Sequence, residues 1–321
     1  MTTDNWEAVE RCEVCRATKF RRLGEVSDRL YRTTGRFTLV RCVGCGLTFI
    51  NPRPTMKEIG LFYPTEYTEY QAPLTPRLRR WEEDKGRPGA KMGPWRRLVA
   101  FINERMSYRM IPPYQGEGRL LDVGCASGEF LDKMRLLGWQ TYGVERSPAA
   151  AEIACRNGHR VLVSDIENGL PIPEASFDLV YCWHVLEHLH SPLRALREMA
   201  RLLAPGGRLV LAVPNFGSFQ AKLFGRFWSK LEPPRHLFHF DKNTLRALLR
   251  HGGFEPQSMT TRTGATSYCR SFRLLINAVL GTRFMRDPAA AVFLFEIPVF
   301  IASLFNNLGL GSDIRVVCRK A

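Results

Sequence analysis

Four of the nine cysteines fall in two short repeats, Cys12-x-x-Cys15 and Cys42-x-x-Cys45. Each pair sets two thiolates on one tight turn, and two such turns complete the tetrahedral four-thiolate shell of a structural zinc ion. Gly44 and Gly46 loosen the second turn as that geometry needs. The rival reading is a redox dithiol, but no thioredoxin-like βαβ pattern surrounds either pair. All four positions are thiols and none is left open, so the metal is expected to fold this short segment rather than to catalyse.

A second stretch with chemistry in it runs from Gly118 to Glu145, GRLLDVGCASGEFLDKMRLLGWQTYGVE, and reads as strand, glycine turn, helix and strand. In an open α/β domain, ligands sit at the carboxyl ends of such strands. A dinucleotide site would need G-x-G-x-x-G, but Ala126 and Glu129 stand where its second and third glycines belong. Asp122 and Glu129 flank the turn. A pyrophosphate needs bare N–H groups held clear of acids, so this turn suits a ligand with an ammonium and little negative charge. Glu145 ends the second strand, where a carboxylate can accept both hydrogen bonds of a ribose diol.

With these residues in place, DVGCASGEF followed by GVE resembles motif I and the ribose-binding acid of class I S-adenosylmethionine-dependent methyltransferases. The resemblance covers nearly the whole chain. It implies S-adenosyl-L-methionine as cofactor, held by Asp122, Gly124, Ala126, Gly128 and Glu145. Ala126 replaces the second glycine of the family's usual G-x-G-x-G and tightens the turn. Asp165, after the third strand, would bind the adenine amino group, or else serve an ordinary strand-end turn. The fourth-strand run H-V-L-E-H-L is also similar to the family's. It implies that Trp183 and His184 border the cofactor and that His188 faces the methyl acceptor, as general base or as a structural hydrogen-bond partner. His184-x-x-Glu187-His188 also matches an inverted zinc-protease pattern, but His184 belongs to a strand end, so a metal is not expected there. The Pro234–Phe240 stretch recurs in the family, which makes His236 the second candidate base. Zinc-headed members carry a similar C-x-x-C-G, N-P-x-P and Y-P-x-x-Y succession. Tyr63 or Tyr67 of this segment would then touch cofactor or substrate, or only pack the ribbon onto the catalytic domain.

The resemblance implies an α/β fold: a doubly wound, seven-stranded Rossmann-like methyltransferase sheet with a small N-terminal zinc-ribbon module. The resemblance implies the strand order 3-2-1-4-5-7-6 with the last strand antiparallel. The expected domains are 1–72 (ribbon and aromatic lid segment), 73–117 (linker and capping helix) and 118–321 (catalytic), with acceptor-side insertions at 214–240 and 262–312. Ser147 and Asp241 are expected N-caps, and helices are expected over Pro148–Arg156, from near Val185, over Pro192–Leu203 and over Thr244–His251. An amphipathic helix is expected over 94–110.

The 321 residues are 45% hydrophobic and 24% charged, the composition of a soluble globular protein. Forty-six basic against 31 acidic residues give a net charge of +15, which favours an acidic partner or merely a solvated basic surface. No apolar leader opens the sequence, and nine cysteines without one suggest a reducing, cytoplasmic setting. The apolar run 289–305 is short for a membrane span and is expected as core, homodimer contact or membrane-surface contact. The strand-four end lacks the N/D-P-P-Y/F turn of base amino-methyltransferases, so methylation of exocyclic base nitrogens is not expected. The resulting expectation is methyl transfer to a small-molecule acceptor, an oxygen of a sugar, glycolipid or secondary metabolite, with a nucleotide- or lipid-linked sugar suiting the charge. The alternatives are a sugar C-methyltransferase, an RNA methyltransferase gripping through ribbon and basic surface (nucleic acid being the less favoured partner), or a non-catalytic cofactor-binding protein.

Overall fold

The computed structural model describes residues 5–63, 110, 113–263, 265–280 and 309–321. Tyr67, Tyr70, the linker, most of the 94–110 helix and the 289–305 run lie outside the described residues.

The central sheet is built from β6 (Arg119–Val123), β7 (Gln140–Glu145), β8 (Arg160–Val163), β9 (Phe177–Trp183), β10 (Leu203–Pro214), β12 (Phe254–Arg262) and β13 (Asp313–Lys320). Across the sheet their order is β8-β7-β6-β9-β10-β13-β12. Counted within this sheet, that is 3-2-1-4-5-7-6, and β13 runs antiparallel to both neighbours, as expected. Every residue of β9 is buried, because helices cover both faces of a largely parallel sheet. The connecting helices are α1 (Glu129–Leu136), α2 (Pro148–Arg156), α3 (Pro192–Leu202), α4 (Phe219–Phe224), α5 (Lys242–His251) and α6 (Ala265–Leu280).

The expected caps form. The Ser147 hydroxyl accepts from Ala150 N–H at 3.4 Å. Asp241 and Thr244 make a reciprocal capping box. One expectation is corrected. In place of a helix from near Val185 there is a single 3₁₀ turn, Leu186–His188, followed by extended backbone. Pro192 can open a helix but disfavours α geometry at Ser191 just before it, so the helix waits until α3.

The ribbon consists of β2 (Phe20–Val26), β3 (Phe37–Cys42) and β4 (Thr48–Ile50), with β1 (Trp6–Glu7) paired to β5 (Arg53–Pro54). Its sheet has a fourth strand that comes from far along the chain: β11 (Phe238–His239) pairs antiparallel with β4, Phe238 opposite Phe49 and His239 opposite Thr48. One hydrophobic cluster then runs unbroken from Cys12, Val40, Leu47 and Phe49 through Phe238 and Phe240 to Val123, Val180 and Leu211. On the ribbon's other side, Phe37, Leu39 and Ile50 pack against Phe224, Trp228 and Leu231. The ribbon therefore shares its core with the catalytic sheet.

Candidate active site

The two cysteine turns are built alike. Cys12 N–H donates to Ala17 O and Arg16 N–H to Cys12 O; Cys42 N–H donates to Leu47 O and Gly46 N–H to Cys42 O. The residue after each second cysteine takes a positive φ, 62° at Arg16 and 82° at Gly46. This repetition brings four sulfurs within 4.8 Å of one another, with Cys12–Cys45 at 3.5 Å and Cys15–Cys42 at 3.4 Å. Zn–S bonds of about 2.3 Å at tetrahedral angles need S···S edges a little under 4 Å, so the donor set fits a zinc ion. Burial pushes the Cys12 thiol up to about 11 and Cys45 higher still. A bound cation would reverse this, since it favours thiolates outright.

The residues assigned to the cofactor gather at the carboxyl ends of adjacent parallel strands. Asp122 lies near the end of β6 and is 3% exposed. The turn that follows takes positive φ at Gly124 (73°), Ala126 (48°) and Gly128 (86°). A Cβ on Gly124 would stand 2.4 Å from a Val185 methyl, so only glycine fits where the turn meets the strand-four loop. Glu145, 5% exposed at the end of β7, accepts from Ala126 N–H through Oε2 at 2.9 Å and from Ser147 N–H through Oε1 at 2.8 Å. Burial raises its pKa, only partly offset by these backbone N–H groups. The same carboxylate thus fixes the glycine turn and has lone pairs left for a diol. Asp165 follows β8, half-buried, and caps a 3₁₀ turn through Glu167 N–H at 3.1 Å. Trp183 ends β9 and stacks on Tyr181, ring centroids 5.4 Å apart, with the Arg315 guanidinium over its ring. These carboxylates and the close-approach turn fit S-adenosylmethionine. We expect Glu145→Ala to remove measurable cofactor binding by calorimetry while the circular dichroism stays folded; unchanged affinity would contradict the ribose assignment.

His184, at φ +57°, turns the chain out of β9. Its Nδ1 lies 3.1 Å from Glu187 Oε1 and its Nε2 3.5 Å from Asp313 Oδ1. Lys230 also pairs with Asp313. His188 and His236, 48 residues apart in sequence, meet edge to face with ring centroids 4.6 Å apart. Nδ1 of His188 sits 3.0 Å from Arg235 O, and Nδ1 of His236 sits 2.8 Å from Lys230 O. A carbonyl can only accept, so both rings carry their proton on Nδ1 and present the Nε2 lone pair. The Tyr63 hydroxyl oxygen also lies 3.0 Å from His188 Nδ1. This contact delivers the segment after the ribbon directly to the candidate base.

Nε2 of His236 stands 4.0 Å from both Glu187 and Glu232. One ligand-type atom each from Glu187, His188 and His236 lies within 4.8 Å of the others. Glu187 is fully buried, and its Oε2 has no hydrogen-bond partner among the described residues. Burial, only partly opposed by the Glu187 charge and the Arg235 carbonyl, lowers the pKa of His188, although its ring keeps a partly open edge. Burial, with His188 and His239 nearby, lowers His236 well below the ordinary histidine value. Both rings are therefore neutral at pH 7.

Sequence reasoning found both histidines, named Glu187 only in a metal pattern that it set aside, and did not find Lys230 or Asp313. A charged glutamate inside the apolar run HVLEHL was the available signal for Glu187. No local signal marked the other two, which are 83 residues apart.

The Methyltransferase domain family matches residues 89–258, more than half of the sequence, and the chain belongs to that family. It is similar to the ubiquinone biosynthesis O-methyltransferase of Xanthomonas oryzae pv. oryzae. The two are 30% identical over 167 residues, which are 50% of this chain and 65% of that protein. It is also similar to the enzyme of the same name from Xanthomonas axonopodis pv. citri, 28% identical over 194 residues, 57% of this chain and 78% of the other. The chain thus spans just under two thirds of the length of the first of these relatives. Among solved structures it is similar to a SAM-dependent methyltransferase from Archaeoglobus fulgidus (TM-score 0.46, 20% identity, 77% of this chain and 100% of the other). A second is from Thermotoga maritima (TM-score 0.46, 21% identity, 70% and 95%). Among the described residues, no helix is long and apolar enough to cross a membrane.

Proposed function

We propose that the protein transfers a methyl group from S-adenosylmethionine to a hydroxyl oxygen of a small-molecule acceptor, with His188 or His236 as general base. The observation that carries this reading is the pair of neutral imidazoles whose Nδ1–H groups are fixed on backbone carbonyls, leaving two Nε2 lone pairs, that of His236 4.0 Å from Glu187. When bound, S-adenosylmethionine supplies an electrophilic methyl on a sulfonium. The chain's part is to align the acceptor for in-line displacement and to take the hydroxyl proton as the oxygen–carbon bond forms. The proton goes to Nε2; the imidazolium is stabilised by the Glu187 carboxylate if His188 acts, and by the Glu187 and Glu232 carboxylates if His236 acts. The O-methyltransferase names of the Xanthomonas relatives support oxygen as the accepting atom. A zinc ion held by Cys12, Cys15, Cys42 and Cys45 would keep the ribbon, and hence Tyr63, in place.

The test is the pH dependence of kcat/KM with labelled cofactor and a panel of hydroxylated acceptors. A base whose pKa is lowered by burial is proton-free through neutrality and becomes protonated only as pH falls through that lowered value. The profile should therefore be flat from pH 7 upward to the alkaline limb, with its acid limb below 6.5. Substituting the acting histidine by asparagine should remove that limb along with most of the rate. A product methyl that survives ether cleavage would refute oxygen as the acceptor.

A further inference from the structure

A cleft of about 340 Å³ opens on the ribbon side of the molecule, lined by Glu25, Val26, Ser27, Arg29, Arg36 and Arg226. Three of its described lining residues are arginines, Arg29 and Arg36 from the β2–β3 loop and Arg226 from the segment after α4. Arg29 and Arg226 converge on one aromatic ring, their guanidinium carbons 4.7 and 5.1 Å from the centre of Phe227. Among the described residues the lining holds one acid, Glu25, which already pairs with Arg22 at 2.8 Å as well as with Arg36 at 3.6 Å. Three arginines against one carboxylate, itself shared with Arg22, leave the described lining with excess positive charge. Burial first, and then Arg226, hold Arg29 below the ordinary arginine value. Farther along the same side, burial and the charges of Arg270 and Arg32 do the same to Arg273 of α6. Planar guanidiniums spaced around a hollow match the bidentate geometry of phosphate oxygens.

The position of the cleft adds to this. Arg29 follows Asp28, whose carboxylate holds the Arg235 guanidinium at 2.9 Å, and Arg235 precedes His236. Arg226 lies on the chain segment that goes on to Lys230 and His236. The cleft and the candidate base pocket are therefore built from the same two strands of backbone.

We propose that this cleft binds a phosphate or diphosphate group, carried either by the methyl acceptor itself or by a membrane phospholipid. The inference rests on the methyl-transfer reading only for which molecule brings the phosphate.

The experiment is calorimetric titration of the zinc-loaded full chain with inorganic pyrophosphate, and in parallel with S-adenosylhomocysteine. It compares the wild type with Arg29→Gln/Arg226→Gln and with a charge-matched control, Arg156→Gln/Arg250→Gln, whose exposed arginines pair with Glu152 and Glu255 outside the cleft. Neither Arg29 nor Arg226 forms an ion pair among the described residues, so the double variant should fold. Saturable pyrophosphate binding that weakens about tenfold or more in the cleft variant, and not in the control, is the expected result. Co-sedimentation with phosphatidylcholine–phosphatidylglycerol vesicles separates the sources. Vesicle binding lost only in the cleft variant assigns the phosphate to lipid, and vesicle binding indifferent to it assigns the phosphate to the acceptor. If neither pyrophosphate nor vesicles respond more to the cleft variant than to the control, the proposal is overturned. Intact S-adenosylhomocysteine binding in that case leaves the methyl-transfer reading standing. Pyrophosphate binding without it refutes methyl transfer and not the cleft.

Discussion

Cys42→Ser, or removal of the metal by a chelator, is expected to dismantle the ribbon and abolish turnover while leaving cofactor binding in place. The ribbon's own apolar content is small, and its cysteines are part of the packing: Cys12 is 0% and Cys42 2% exposed within the shared core. A structural zinc ion contributes apparent free energies of about 10–16 kcal/mol to such modules, as large as the net stability of a whole domain. Without it, four thiols crowd within 4.8 Å with nothing to hold them. Loss of β3 and β4 would strip β11 of its partner, release Ile50 N–H from Leu237 O, and withdraw Tyr63 from His188. Although Val123 and Val144 share the ribbon's cluster, the helix side of the Gly124–Glu145 unit packs in a second one, where Leu120, Cys125 and Phe130 meet Leu179, Tyr181 and Val210, so the turn should survive. The readouts are zinc content, thermal unfolding, cofactor calorimetry and acceptor turnover on one sample. A Cys42→Ser protein with wild-type unfolding and turnover would sink the structural-zinc assignment.

The second large effect is expected at Asp28 and Arg235, both fully buried and joined at 2.9 Å. Arg235 also donates to Phe62 O at 2.9 Å, and its guanidinium lies 4.5 Å from the centre of the Tyr31 ring. Burial pushes the Asp28 carboxyl up, but the Arg235 hydrogen bond and charge, with Tyr31 N–H and Thr33, bring it below its ordinary value. Its stabilising contribution is then complete above the unfolded carboxyl range and is lost as pH falls through the lowered value. Asp28→Ala takes from the buried guanidinium its short counter-charge, leaving the longer Glu232 contact at 3.6 Å, and should destabilise the fold by about 3–5 kcal/mol. The double change Asp28→Leu/Arg235→Met removes both charges and should cost much less than the two single changes added together. Denaturant unfolding measures both. Additive costs would show that the pair does not couple the β2–β3 loop to the His236 segment.

The chemistry legible in the sequence is the chemistry that lies close together along it. Cys-x-x-Cys needs only a tight turn, and the Asp122–Glu145 unit is one βαβ half whose turn is dictated by glycines and whose acid is dictated by a strand end. Helix caps at Ser147 and Asp241 are likewise local, because a side chain there reaches N–H groups two or three residues on. The strand order followed from a resemblance resting on those same local units. Pairings between distant segments were not legible. Phe238–His239 carries too few residues to announce a strand, and it is one only because β4 offers it an edge. His188 and His236 were each visible, but their 4.6 Å approach depends on both loops being laid over the sheet's carboxyl edge. Lys230–Asp313 and Asp28–Arg235 join residues 83 and 207 positions apart, and neither partner carries a mark of the other. The sequence by itself determined the four-cysteine cluster, the glycine turn and the acid at the end of β7, because spacing along the backbone sets their geometry. The tertiary structure alone decided that the ribbon shares its core with the catalytic sheet and reaches His188 through Tyr63, because shared burial and long-range pairing depend on where the folded chain brings its segments together.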